Sequence, residues 1–80
     1  MATSVHSREY RIFLDLLKKA RKTSGLTQEE VAHALGRHQS FVSKCESGER
    51  RVDVVELKKF AELYGKSLSY FVSSRSKAER

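Results

Sequence analysis

The sequence predicts an all-α fold, a compact domain of five helices, and three observations carry that prediction. Proline is absent from all 80 residues, strand-type alternation is nowhere sustained, and apolar residues recur at steps of three and four. The length fits one small domain, and no Pro-rich or Gly-rich linker divides it. Leu, Ile, Val and Phe together number 20 of the 80 residues, which is enough for a core, although a chain this short leaves that core thin.

Each element follows from local chemistry. The first helix runs from about Arg8 to Thr23, where Tyr10, Phe13, Leu14, Leu17 and Ala20 form one stripe and Ser24-Gly25 ends it. Lys18, Lys19 and Lys22 then fall off the stripe. The second helix opens on Thr27, with Glu30 three residues later completing a capping box and Leu26 placed to staple to Val31. It spans Gln28 to Leu35, and Gly36 stops it. Only Arg37 and His38 separate that glycine from the third helix, Gln39 to Ser47, where Phe41, Val42 and Cys45 share a face and Gly48 is the stop. After the loop Glu49-Arg50-Arg51-Val52, Asp53 and Glu56 repeat the capping pattern at the start of a fourth helix. That helix buries Leu57, Phe60, Ala61 and Tyr64 and ends at Gly65. Ser67 caps a short fifth helix containing Leu68, Phe71 and Val72. Residues 1–7 and 73–80 are expected to be flexible, which leaves 8–72 as the domain.

Charge and composition exclude several function classes. Sixteen Lys and Arg against ten Asp and Glu leave a net +6, with an isoelectric point near 9.8, so an anionic partner is favoured. The longest apolar runs are three residues (Ile12-Phe13-Leu14, Tyr70-Phe71-Val72), too short for a membrane span or a signal-peptide core. Cys45 is the lone cysteine, which excludes an internal disulfide and points to a reducing, cytoplasmic setting. His6, His33, His38 and Cys45 lack the spacing of a zinc site. Cys45 reads as a small core residue. No nucleophile elbow or phosphate loop occurs. No enzyme activity, cofactor, metal or small-molecule ligand is therefore expected. The run Lys18-Lys19-Ala20-Arg21-Lys22 reads as a solvated face that adds long-range attraction for an anion.

Two short helices meeting at a glycine corner form either an ordinary αα-hairpin or a helix-turn-helix. The small Ala32 between Val31 and Leu35, with Val42 and Cys45 facing them, permits a close, angled crossing and leaves the opposite face of the third helix polar. From about Tyr10 to Val72 the chain resembles the Cro/phage-repressor (XRE) family of helix-turn-helix domains. The resemblance rests on Leu26-Thr-Gln-Glu-Glu-Val-Ala-His-Ala-Leu-Gly36, on Gln39-Ser-Phe-Val-Ser-Lys-Cys-Glu-Ser-Gly48 and on Arg51-Val-Asp-Val-Val-Glu-Leu57. Two positions depart from the pattern: Arg37 stands where an apolar residue is usual, and His38 where a Ser or Thr cap is common.

The resemblance implies a lambda-repressor-like domain that binds double-stranded DNA sequence-specifically, regulates transcription, and sits on the nucleoid when bound. It implies base reading by Gln39, Ser40, Ser43 and Lys44 from the third helix in the major groove. Their chemistry suits base edges, since Gln39 can pair with adenine, Lys44 with guanine, and Ser40 with either base type. Phosphate contacts are implied for Gln28, at the positive end of its helix, for Arg37, and for Ser47, Arg50 and Arg51 around the following loop. Arg21 and Glu46 are implied as a structural ion pair. A homodimer through helices 4 and 5 would present two reading helices about 34 Å apart, one turn of DNA. The alternative is a protein-interaction module, an antitoxin or adaptor built on the same fold. A docking face would carry aromatic or aliphatic anchors, and Phe41 is the one ambiguous residue: core, sugar-phosphate packing or partner anchor.

Overall fold

The computed structural model describes residues 7–72, and these form five α-helices in chain order: α1 Arg8–Thr23, α2 Gln28–Leu35, α3 Gln39–Ser47, α4 Val54–Tyr64 and α5 Leu68–Val72. Side-chain caps fix where most of them begin. Ser7, expected from the sequence to belong to a flexible leader, instead caps α1, its hydroxyl accepting from the Tyr10 backbone N–H at 3.1 Å. The remainder of that leader and the tail from 73 lie outside the described residues.

Both expected capping boxes are complete. Thr27 Oγ1 accepts from the Glu30 N–H at 3.0 Å while Glu30 Oε1 accepts from the Thr27 N–H at 2.9 Å. Asp53 and Glu56 do the same at 2.8 and 3.0 Å. Each box satisfies two backbone donors that a helix start leaves unpaired. At the corner between α2 and α3, Gly36 adopts φ 70°, ψ 31°, a left-handed conformation in which a Cβ is penalised. That geometry lets the Arg37 N–H reach the Ala32 carbonyl at 2.8 Å, closing the helix end and redirecting the chain within two residues.

The core is one cluster to which all five helices contribute. Leu17 and Ala20 of α1, Val31 and Ala32 of α2, Val42 and Cys45 of α3, Phe60 and Ala61 of α4, and Phe71 of α5 are buried in it. α2 packs on α3, α1 packs on both α3 and α5, and α4 packs on α5. Ala32 lies in this cluster and is 2% exposed; its single methyl takes little room where α2 packs on α3. Phe41, Phe60 and Tyr64 stack in series, with centroid separations of 6.1 and 6.0 Å. Their faces run nearly parallel, an arrangement that adds to their area burial.

Burial departs from the periodicity in two places. Leu57 is half-buried, and Lys18 is partly covered where water was expected. In α5 the apolar residues divide: Phe71 enters the core and Tyr70 is half-buried, while Leu68 and Val72 are 41% and 66% exposed. At the start of α4, Val54 and Val55 are 69% and 59% exposed.

Candidate nucleic-acid interface

Successive residues of α3 point about 100° apart around its axis. Phe41, Val42, Cys45 and Glu46 are buried, and Gln39, Ser40, Ser43, Lys44 and Ser47 are exposed. The exposed set therefore forms one unbroken polar arc of about 140°, facing away from the core. All four residues expected to read bases lie on it. A shallow open groove of about 530 Å³ continues the surface from Gln39 past Gln28 and the corner around Gly25 to Lys22.

The inner side of α3 is held by charge. Arg21 of α1 reaches Glu46 through Nε to Oε2 at 2.7 Å and Nη2 to Oε1 at 3.2 Å, and its Nη1 donates to the Leu26 carbonyl at 3.0 Å. Gln28 of α2 donates Nε2 to Glu46 Oε1 at 3.0 Å. One carboxylate thus binds donors from two other helices. Glu46 is only 3% exposed and the Arg21 side chain 12%, so this is a desolvated, forked pair of the strong kind. The Glu46 hydrogen bond raises the pKa of the Arg21 guanidinium, against the effect of burial.

The start of α3 has an unusual cap. His38 occupies the N-cap with extended backbone, and its Nδ1 accepts from the Ser40 N–H at 3.3 Å. The imidazole takes the place of the hydroxyl common in such positions, so the first turn of α3 is fixed despite the departure from the family pattern.

The residues expected to meet phosphate occupy different settings. Arg37 is exposed, with its guanidinium 3.8 Å from the centroid of the Phe41 ring. Arg51 is exposed and lies 4.7 Å over the Tyr10 ring. Arg50 forks onto Glu56 with two bonds of 2.8 Å, donates to the Arg51 carbonyl at 3.0 Å and stands 4.9 Å from Phe41. The hydrogen bond from Arg50 holds the Glu56 carboxyl below its ordinary range. Ser47 closes the end of α3, donating to the Lys44 carbonyl and accepting from the Glu49 N–H, each at 3.2 Å. The Gln28 amide nitrogen is turned inward to Glu46. Arg37 and Arg51 are exposed and rest on aromatic rings, and Gln28, Ser47 and Arg50 hydrogen-bond within the fold.

Phe41 is a core residue: it is 8% exposed and stacks on Phe60 with 2° between the ring planes. Cys45 is fully buried, and burial pushes its thiol pKa up, away from reactive thiolate. Among the described residues no group of three or more His, Cys, Asp or Glu could hold a metal ion. No described helix is long and apolar enough to cross a membrane.

A comparison with family models matches residues 17–71 to the helix-turn-helix family, a span that runs from the core of α1 to Phe71. The chain belongs to the XRE helix-turn-helix family. An XRE-family-like protein from Pseudomonas syringae pv. tomato str. DC3000 is similar in structure, with a TM-score of 0.84 and 42% sequence identity over 96% of this chain and 94% of that one. Comparison with curated proteins finds no match. Membership of the XRE family places the chain among DNA-binding regulators, a family that is generally not enzymatic.

Sequence reasoning missed three internal contacts around the candidate interface of this XRE domain. The Tyr10 hydroxyl accepts from the Val52 N–H at 3.0 Å across 42 positions, tying α1 to the arginine loop. The Arg50–Glu56 fork and the Gln28–Glu46 bond likewise join residues with no common periodicity. For His38 alone a signal existed, since an N-cap position filled by a residue with a ring nitrogen acceptor can be read from the chain.

Proposed function

We propose that this domain regulates transcription by inserting α3 into the major groove of duplex DNA and discriminating its sequence. The observation that carries this reading is the unbroken polar arc of Gln39, Ser40, Ser43, Lys44 and Ser47, outward on a helix whose other face is anchored by the core and by Glu46. A groove rewards hydrogen-bonding and basic side chains, whereas a protein-docking face needs apolar anchors. The one aromatic candidate for such an anchor, Phe41, is committed to the core. Gln39 and Lys44 read base edges, joined by Ser40 and Ser43. Arg37 and Arg51, both exposed, meet phosphate. A phosphate at Gln28 or Arg50 competes with Glu46 or Glu56, and one at Ser47 competes with the helix-end turn.

A single reading helix covers few base pairs, so the active form we propose is a twofold dimer on two half-sites. The exposed Val54, Val55, Leu68 and Val72 supply apolar surface for it on α4 and α5. This cytoplasmic, nucleoid-bound regulator needs no cofactor.

Selection of bound duplexes from a random pool tests the reading, followed by titration of Gln39→Ala and Arg51→Ala on the selected and a scrambled site. Loss of a bidentate base contact should cost Gln39→Ala about 1–3 kcal/mol on the selected site and little on the scrambled one. Arg51→Ala should weaken both and lower the salt slope by about one. Equal losses for Gln39→Ala on both duplexes remove Gln39 from the base readers.

A further inference from the structure

The cap of α3 also touches one of the base-reading side chains, and that contact bears on which bases this chain selects. Two donors of Ser40 converge on one nitrogen of His38. The Ser40 backbone N–H donates to His38 Nδ1 at 3.3 Å, and a backbone amide can only donate, so Nδ1 presents its lone pair and carries no hydrogen. The Ser40 hydroxyl oxygen lies 3.2 Å from the same Nδ1. Since that nitrogen has no hydrogen to give, the hydroxyl is the donor in this bond as well.

A serine hydroxyl has one hydrogen and two lone pairs. With its hydrogen held by His38, Ser40 has only acceptor capacity left for anything that approaches from outside. Both residues are exposed, so their outer sides are accessible. In the major groove, hydrogen-bond donors are found only on the amino groups of adenine and cytosine, while guanine and thymine present acceptors.

We infer that His38 is a specificity-determining positioning residue: by holding the Ser40 hydroxyl proton it makes Ser40 an acceptor for the amino group of adenine or cytosine, and so fixes the orientation of the base pair that Ser40 meets. The inference rests on the groove-reading function proposed above and deepens it. Serine by itself tolerates either kind of base, so the discrimination belongs to the His38–Ser40 couple. His38 needs no contact with the base to exert it.

The test is selection from a random duplex pool with the full chain and with Ser40→Ala, His38→Ala and His38→Asn. The position at which Ser40→Ala loses preference marks the base that Ser40 meets. There, removing the pair's amino group, with purine in place of adenine or 2-pyrimidinone in place of cytosine, should weaken the parent about fivefold, a typical worth of one hydrogen bond, and Ser40→Ala by less than about twofold. His38→Ala should flatten that one position to within about twofold and leave the other positions as they are, an outcome that loss of a helix cap alone does not produce. His38→Asn keeps an acceptor oxygen at the cap and should retain the preference. No loss on removing the amino group, no position at which Ser40→Ala loses preference, or an unchanged preference in His38→Ala overturns the assignment of polarity while the groove reading stands. If His38→Ala fails to fold, the parent's response to loss of the amino group still decides. A parent pool with no enriched sequence overturns the groove reading itself, and the role of His38 with it.

Discussion

Removing Arg21 should be among the most damaging single changes in this domain, and more damaging than removing its partner. Arg21 supplies two of the three donors on Glu46, at 2.7 and 3.2 Å, and Gln28 the third at 3.0 Å. Arg21→Ala leaves a carboxylate that is 3% exposed with one neutral partner, and stranding a buried charge costs about 3–5 kcal/mol. Native stability amounts to about 0.05–0.15 kcal/mol per residue, or about 4–12 kcal/mol for a chain of this length. The loss is therefore a large share of the whole. Glu46→Ala is cheaper, at about 2 kcal/mol, because Arg21 sits nearer the surface, keeps its bond to the Leu26 carbonyl and can turn toward water. Replacing the pair by Arg21→Met with Glu46→Leu should recover most of the stability, since the desolvation of two charges disappears along with their attraction. Urea unfolding of the four proteins at neutral pH, followed by helical circular dichroism with the slopes compared, gives these differences directly. A cost below about 1 kcal/mol for Arg21→Ala, the range of exposed pairs, would refute the reasoning, as would a larger loss for Glu46→Ala than for Arg21→Ala.

Other consequences follow from the same structure. The Arg50 fork holds the Glu56 carboxyl below its ordinary value of 4.5, so its contribution to stability is complete above that value and is lost as the pH falls through the depressed folded-state value. Acid titration of the unfolding midpoint should show a shallower decline below pH 4.5 in Glu56→Gln, and an unchanged acid limb would show that the fork contributes nothing to folding. Val54→Asp together with Val72→Asp, both at exposed positions, should leave the thermal midpoint of the dilute protein nearly unchanged, because surface changes usually stay within about 0.5 kcal/mol. The same double change should lower the sedimentation mass at high concentration from dimer to monomer. An unaltered mass distribution would take the two valines out of the proposed interface.

The parts legible in the sequence are those set by interactions within four residues. Thr27 with Glu30, and Asp53 with Glu56, are local reciprocal caps, so the starts of α2 and α4 can be read directly. Gly36 can be read because only a residue without Cβ turns left-handed at little cost. Phe41 shows where that reach ends. Its spacing is compatible with core, nucleic-acid packing or a partner, and only the approach of Phe60, nineteen positions later, commits it to the core. The Tyr10–Val52 bond and the inward turn of the Gln28 amide are equally non-local. A place at a helix start suggests a phosphate ligand at Gln28 but says nothing of its bond to Glu46, which depends on how the helices pack. The exposure of Val54 and Val55 has the same origin, since the face that α4 buries is chosen by Phe60, Ala61 and Tyr64.

These internal partners also separate affinity from specificity in the proposed complex. Arg50 already holds two 2.8 Å bonds to Glu56, so a phosphate contact made by Arg50 gains only the difference between a phosphate and a carboxylate, and leaves Glu56 to find water. Arg37 and Arg51 rest on aromatic rings, contacts worth about 0.5–1 kcal/mol at exposed sites, and a guanidinium so placed can keep its ring while offering its edge donors to a phosphate. Their ordering is partly complete before DNA arrives, which lowers the entropic cost of binding. The reading helix is prepared in the same way, with His38 at its start, Gly48 at its end and Glu46 on its inner face. A rigid reader discriminates well because a wrong base cannot be accommodated by re-aiming the helix, and its mismatched polar groups stay unpaired.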